Sequence, residues 1–203
     1  MPRKISGKIR CILLTAFLCL SAMNPALSFE QEHLNRLLET GECYNCDLER
    51  AGLRDAELPF ADLAWSNLRG AGLENADLQR AVLAGADLKN ANLQGVSLTD
   101  ARLNGADLDG ADLRGADLEG ADLQGVSLVN AHLKEANLIG VGLRVADLTN
   151  ADLHKADLSH TVLIWAVLKG ARIEGAVFEG ADLSGAIWID GTRCAQGSIG
   201  VCR

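Results

Sequence analysis

A large apolar residue falls on every fifth position of this 203-residue chain, from Leu48 to Leu183 without an insertion, which gives 28 consecutive repeats. The only residues of this series that are not leucine are Ile173 and Phe178. An α-helix repeats its faces every ~3.6 residues and a β-strand every ~2 residues, so neither would keep these residues on one side. The period therefore predicts a backbone that turns within every repeat.

A small residue precedes each large residue by two positions. It is alanine in most repeats, and the exceptions are Cys46, Ser66, Val96, Val126, Val141 and Thr161. The other three positions of the repeat carry mainly Asp, Asn, Gly, Lys, Arg, Glu and Gln. Two buried and three solvent-facing positions in a short repeat are typical of a solenoid, in which each turn buries its interior against the next.

The runs ADLRG, ADLEG, ANLQG and ADLSG resemble the A-(D/N)-L-x-x unit of the pentapeptide-repeat family, and the resemblance covers residues 46–188. It implies an all-β fold, a right-handed quadrilateral β-helix with one repeat per side and four per coil, hence about seven coils. Coils stack at ~4.8 Å, so the rod would be roughly 35 Å long. Asp, Asn and glycine suit its corners because they tolerate turn dihedrals.

Residues 1–28 have the three parts of a secretory signal peptide. MPRKISGKIR supplies four basic residues, CILLTAFLCLSA is apolar, and Ala26-Leu27-Ser28 is a small-x-small cleavage site. The alternative is a membrane anchor, but the apolar run is shorter than the ~20 residues that a span needs. We expect cleavage after Ser28, a periplasmic or secreted protein, and no stable membrane insertion of the mature chain.

The repeat region is flanked by residues 29–45 and 189–203, which lack the period. A solenoid needs caps because its ends expose unpaired backbone groups and core side chains. Three leucines at helical spacing predict a short N-terminal helix that covers the first coil; they are Leu34, Leu37 and Leu38. The glycine-rich residues 189–203 predict an irregular C-terminal cap, with Trp188 closing the core.

Four cysteines remain after cleavage, namely Cys43, Cys46, Cys194 and Cys202. Paired cysteines also occur in zinc sites and redox centres. On the rod that the family resemblance implies, the two pairs lie at opposite ends, too far apart for one metal ion or for a cross-end disulfide, which needs Cα atoms within ~7 Å. We expect disulfides Cys43–Cys46 and Cys194–Cys202, one in each cap, with no metal and no cofactor.

No catalytic constellation is evident in the sequence. Asp157, Ser159 and His160 include the residue types of a hydrolytic triad, but they are neighbours on one outward edge and lack partners at matching height on other coils. There is no glycine-rich phosphate loop, and no basic patch with aromatic residues that would indicate nucleic-acid binding. We expect a protein that is not an enzyme and has no catalytic residues and no nucleic-acid partner.

Residues twenty apart share one side of the expected rod, which sorts the outward residues into four faces. Loss of the signal peptide's four basic residues shifts the formal charge from −8 to −12. One face carries seven acids against one base, Arg80. The acids of this acidic face are Glu57, Asp77, Asp100, Asp117, Glu119, Asp157 and Glu179. Members of the pentapeptide-repeat family bind DNA gyrase with an acidic rod that mimics DNA, so the resemblance makes a topoisomerase inhibitor the alternative if the protein is cytoplasmic.

A second surface is apolar. The run HTVLIWAVL places hydrophobic side chains outside, where other repeats carry Asp, Lys or Gly. The apolar patch comprises Val145, Val162, Ile164, Trp165, Val167, Ile187 and Ile189. Such a patch usually marks a contact with another protein; the alternatives are that residues 189–203 cover it or that it adheres to a membrane. We expect the N-terminal helix to cover a smaller spot of Phe60, Ala64 and Trp65.

These features predict a non-enzymatic, exported scaffold or protein-binding rod of the bacterial cell envelope. Its partner is an unknown protein or a second copy of the chain, which would form a homodimer through the apolar patch. A secreted effector is a further alternative. A periplasmic location would exclude gyrase inhibition as the native role, because topoisomerases are cytoplasmic.

Overall fold

The computed structural model describes the backbone of residues 25–203 and the side chains of residues 31–203. Most of the signal peptide predicted over residues 1–28 lies outside the described residues. The described part of the chain contains one helix, α1, Pro25–Thr40. Because α1 begins before Ser28, cleavage at the predicted site would shorten it at its N-terminal end.

The repeat region is a solenoid with twenty residues per coil. Isolated parallel β-bridges join residues twenty apart, from Glu42↔Asp62 to Val167↔Ile187. Each repeat has five residues, so this register places four repeats in every coil and stacks each repeat on the one a coil earlier. Backbone hydrogen bonds of about 2.7–3.1 Å follow the same register throughout; for example, the N–H of Leu63 donates to the carbonyl of Val82 at 2.8 Å.

Each side of a coil contributes a single bridge residue, so the strand content is low for a chain whose predicted class is all-β. The last residue of each repeat lies at a corner with positive φ, as at Asn75 (55°) and Gly85 (66°). An Asp or Asn side chain closes many of these corners by accepting an N–H two residues later, and Asp77 Oδ1 accepts from Gln79 N at 3.0 Å. A repeat that turns this often leaves no run of extended residues long enough for a strand. Handedness and the number of coils stay predictions.

The leucines of the period fill the interior. From Leu48 to Leu168, none is more than 2% exposed, and the alanines beside them are also buried except Ala51, which is half-buried. The two hydroxyl-bearing residues at the small position are hydrogen-bonded: Ser66 Oγ donates to Cys43 O at 2.6 Å, and Thr161 Oγ1 donates to Leu158 O at 2.7 Å. The core is therefore continuous and free of unpaired hydroxyls along the described rod.

Helix α1 covers the first coil. Leu37 is fully buried, and Leu34 and Leu38 pack against the core. The disulfide Cys43–Cys46 lies beneath the helix with both sulfur-bearing residues buried, and Arg36 Nη2 approaches Cys46 Sγ at 2.6 Å. This burial agrees with a structural bridge, because redox-active cysteines are typically accessible to solvent.

The C-terminal cap reverses direction after Trp188. The chain turns at Gly191 (φ 87°) and then runs antiparallel to the last repeats, with bridges Ile187↔Arg193 and Asp182↔Ile199. The disulfide Cys194–Cys202 closes this segment. Trp188 is half-buried and meets the Phe178 ring edge-on at a centroid distance of 5.5 Å. The cap therefore lies over two sides of the last coil.

Leu113→Asp should unfold the chain or break the rod in the middle, whereas Arg114→Gln should leave it folded. Leu113 is fully buried, so the aspartate loses the packing of a core leucine and places a carboxylate in an apolar interior, a cost on the order of 4 kcal/mol or more. Arg114 is exposed; its guanidinium donates to Asp112 and lowers the pKa of that carboxyl. Exposed pairs contribute ~0–1 kcal/mol. Thermal melts followed by circular dichroism would measure the stability of both variants. Equal losses of stability in the two variants would contradict the assignment of Leu113 to the interior.

Cys202→Ser should loosen the C-terminal cap without affecting the middle of the rod. The bridge spans only eight residues, so its loss should cost ~2–3 kcal/mol. In a solenoid each coil interacts with its neighbours alone, so the effect should stay local. Hydrogen exchange should accelerate at Gly200, whose N–H donates to Ala181 O, and remain slow at Leu113. A global loss of protection would show that the cap holds the whole rod together.

Candidate interaction surfaces

Three aspartates of the acidic face are turn residues. Asp77, Asp117 and Asp157 are half-buried, and each accepts the backbone N–H two residues later, at 3.0, 3.2 and 2.9 Å respectively. Such carboxylates close the corners of the solenoid by local hydrogen bonding. Their presence on one face follows from the repeat and is not by itself a sign of a binding site.

The remaining acids of this face are widely spaced. Asp100 pairs with Arg80 at 3.3 Å, and the Arg80 guanidinium also lies over the Phe60 ring at 5.8 Å. Of the acidic face in the described chain, the carboxylates without an ion pair or hydrogen bond are those of Glu57, Glu119 and Glu179. Successive members of this set are three coils apart, which corresponds to ~14 Å. The acidic face thus presents isolated charges.

The charge density of the acidic face is well below that of duplex DNA. Its seven acids extend over about six coils, or ~29 Å along the rod axis. This corresponds to one negative charge per ~4 Å, and the positive charge of Arg80 lowers the net density further. Duplex DNA carries one negative charge per ~1.7 Å of its axis. This difference weakens the argument that the acidic face mimics DNA.

The apolar patch is centred on two corner residues. Val145 and Trp165 are 61% and 50% exposed, and they occupy the same corner on adjacent coils. The other members are half-buried, and they are Val162, Ile164, Val167, Ile187 and Ile189. The patch therefore has a small exposed centre with a partly buried margin.

The C-terminal cap contacts the patch without covering it. The Arg193 guanidinium lies 5.3 Å from the centre of the Trp165 ring, and its Nη1 donates to Gly185 O at 2.9 Å. The cap also adds an exposed residue, Ile199, on the same side as Val162. Sequence reasoning missed Ile199 because it lies after the period ends, where residue spacing no longer indicates a side of the rod.

The smaller spot near the other end is not covered as expected. Ala64 is buried, but Phe60 and Trp65 remain 55% and 62% exposed. Helix α1 packs over the interior of the first coil through Leu37, whereas Trp65 lies outside, at a corner. The expectation that α1 covers Trp65 is therefore wrong.

Two sides of the last coil end in an open sheet edge. Among the described residues, no partner accepts the backbone N–H groups of Ile173, Gly175, Phe178 and Gly180, although the equivalent groups of earlier coils donate to carbonyls nineteen residues ahead. Ile173 and Phe178 are only half-buried. We call this set of four residues the C-terminal edge. It arises because the cap doubles back over the sides of Leu183 and Trp188 instead of completing a coil.

The candidate triad residues do not form a catalytic arrangement. Ser159 Oγ donates to Asp157 Oδ1 at 2.6 Å, so the hydroxyl is used in a corner turn. In the part of the chain that the structure describes, no group of three or more His, Cys, Asp or Glu side chains is placed to hold a metal ion. Within the same part, no helix has the length and apolar character to cross a membrane.

Comparison with known proteins gives the family. The profile of the family described as Pentapeptide repeats matches with 8 copies, over residues 46–85, 76–115, 116–154, 127–163 and 146–185. These matches extend over most of the solenoid. The chain belongs to the pentapeptide-repeat family. No curated protein matches the sequence.

Solved structures of pentapeptide-repeat proteins are similar to this one. A trypsin-treated form of QnrB1, a plasmid-mediated fluoroquinolone resistance protein, has a TM-score of 0.66 and 18% identity, with 76% of this chain and 83% of that chain covered. HetL, involved in heterocyst differentiation regulation in the cyanobacterium Nostoc, has 32% identity over 75% of this chain and 86% of its own, with a TM-score of 0.32. At 18% identity, the likeness to QnrB1 shows the fold alone.

Proposed function

We propose that this pentapeptide-repeat protein is a non-enzymatic rod of the bacterial cell envelope that binds another protein through its C-terminal end. The observation that carries the proposal is the C-terminal edge, where four backbone N–H groups and two half-buried core side chains lack a following coil. Unpaired edges of this kind accept an extended segment of a second chain by β-pairing.

The carbonyl groups at the edge match this use. In earlier coils, the carbonyl of the alanine in each repeat accepts a hydrogen bond from the N–H of the residue 21 positions ahead. For example, Ala71 O accepts from Asn92 N at 2.9 Å. The carbonyls of Ala171 and Ala176 have no such donor in the described chain. The edge therefore offers donors and acceptors together, the pattern that an added backbone segment can satisfy.

The apolar patch is a second element of the same C-terminal end. Tryptophan and arginine are enriched at the energetic centres of protein interfaces, and Trp165 with Arg193 stacked on it provides both. A second copy of the chain or a different protein can use this surface. The area of the patch is small, which favours a contact that combines it with the C-terminal edge.

Export is supported by the charged, apolar and small-residue segments of residues 1–28 and by the two disulfides. Structural disulfides persist in oxidising compartments and are rare in the bacterial cytoplasm. Mass spectrometry of the protein from periplasm and medium should find a chain that begins at Phe29 and has no free thiol. A full-length chain with reduced cysteines in the cytoplasm would contradict export and would favour a topoisomerase inhibitor; recovery from the medium alone would favour a secreted effector.

The variants Trp165→Glu and Val177→Lys should test the apolar patch and the C-terminal edge one at a time. Trp165 is the centre of the apolar patch, and Val177 is 43% exposed beside the C-terminal edge, where a lysine is a common device against edge pairing. Light scattering should show that the wild-type chain is larger than a monomer, or crosslinking in cells should capture a partner. Each variant should weaken this association while keeping the wild-type melting temperature.

Arg114→Gln is the matched control, because it changes an exposed side chain in the middle of the rod and should leave the association intact. A wild-type chain that is monomeric and captures no partner in cells would overturn the proposal. Association that survives both Trp165→Glu and Val177→Lys would place the contact elsewhere on the rod.

A further inference from the structure

A groove on the side of the rod, far from the C-terminal end, begins at the exposed Trp65. The depression measures about 410 Å³ and is open to solvent along one side. It is bounded by Trp65 at one end and by Asp122 and Gln124 at the other. These residues belong to coils up to three levels apart, so the groove runs ~14 Å along the rod axis.

The groove exists because the two corner positions stacked next to Trp65 are glycines and carry no side chains. Gly85 and Gly105 follow Trp65 at intervals of twenty residues, on the two next coils. The Trp65 ring lies flat against Gly85, where a Cβ atom would approach Trp65 Cε3 to 2.7 Å. A Cβ atom at Gly105 would meet nothing within 4 Å. The column therefore holds the indole in place and leaves open space next to it.

Polar groups without partners line this space. Asn104 Oδ1 is buried and has no hydrogen-bond partner, which is rare for such an atom. In the described chain, the Arg102 guanidinium forms no ion pair and the Gln124 amide forms no hydrogen bond. Asp122 lies one coil from Arg102 and does not pair with it; its Oδ1 accepts the backbone N–H of Gln124 at 3.1 Å in a corner turn, and its Oδ2 has no partner in the described chain. The donors and acceptors that the groove offers to a ligand are therefore the Arg102 guanidinium, the Gln124 amide and Asp122 Oδ2.

We infer that this groove binds a neutral glycan, with one pyranose ring stacked on Trp65. A pyranose has an apolar face of C–H groups, which fits a flat aromatic ring, and a rim of hydroxyls that both donate and accept hydrogen bonds. Arg102 donates, Asp122 Oδ2 accepts, and the Gln124 amide does both. The length of the groove corresponds to a short oligosaccharide.

Charge separates this ligand class from the alternatives. Arg102 and Asp122 carry opposite charges, so the groove is neutral and does not favour a nucleic acid or another polyanion. A protein interface has a centre depleted of charged residues and surrounded by a polar rim. Here charged and amide groups occupy the concave part itself, and the aromatic ring forms one end.

The test is titration calorimetry of the purified full chain with three hexasaccharides, cellohexaose, chitohexaose and maltohexaose, at up to millimolar concentration. At least one should bind the wild-type protein. Trp65→Ala should weaken that binding at least about tenfold, and Arg102→Ala or Gln124→Ala should weaken it severalfold. The preferred sugar identifies the linkage and shows whether N-acetyl groups are required.

Trp165→Ala is the matched control, because Trp165 stands on the same corner column and lies against Gly185 as Trp65 lies against Gly85. It should bind the sugar like the wild type, which also keeps this test independent of the C-terminal contact. Melting curves check that Trp65→Ala is folded, and Trp65→Phe should retain part of the affinity. The inference fails if no hexasaccharide binds, if Trp65→Ala binds normally, or if Trp165→Ala loses binding equally.

Discussion

The twenty-residue register of the backbone hydrogen bonds determines the rest of this structure. It stacks each leucine on the leucine a coil earlier and turns a five-residue pattern into one continuous apolar interior. The same register arranges outward residues in columns, because positions twenty apart share a side. A surface on this rod is therefore a set of columns, and its character changes where the residues of one column change.

The stacking explains why association is expected at an end of the rod. In the middle, every coil satisfies the backbone groups of its neighbours and buries their leucines, so nothing is left for a partner except side chains. At the N-terminal end α1 buries Leu37 against the first coil. At the C-terminal end the cap covers two sides, and Ile173 and Phe178 remain at an incomplete edge. The free energy of the contact that we propose there would come from groups that the solenoid itself cannot use.

The interior of the rod, the N-terminal helix and both disulfides could be predicted from the sequence, whereas the path of the C-terminal cap could not. The spacing of leucine and alanine identifies the buried positions because the period carries the geometry of every coil. The path of residues 189–203 has no period, so the reversal at Gly191 and the exposure of Ile199 had no signal in the sequence. The Trp65 groove was missed for a different reason: it requires the absence of side chains at Gly85 and Gly105, and this matters only once the coils are stacked.

The two corner tryptophans show how the columns divide the surface. Trp65 and Trp165 share one column, and both adopt positive φ, a conformation that costs a non-glycine residue ~1–2 kcal/mol. Both lie over a glycine of the next coil, so the local packing is the same. Their neighbours differ: the polar side chains of the groove follow Trp65, whereas Val145 precedes Trp165 and Arg193 stacks on it. We therefore propose that the same strained side chain, held in the same way, serves a polar ligand at one level of the rod and a protein contact at another.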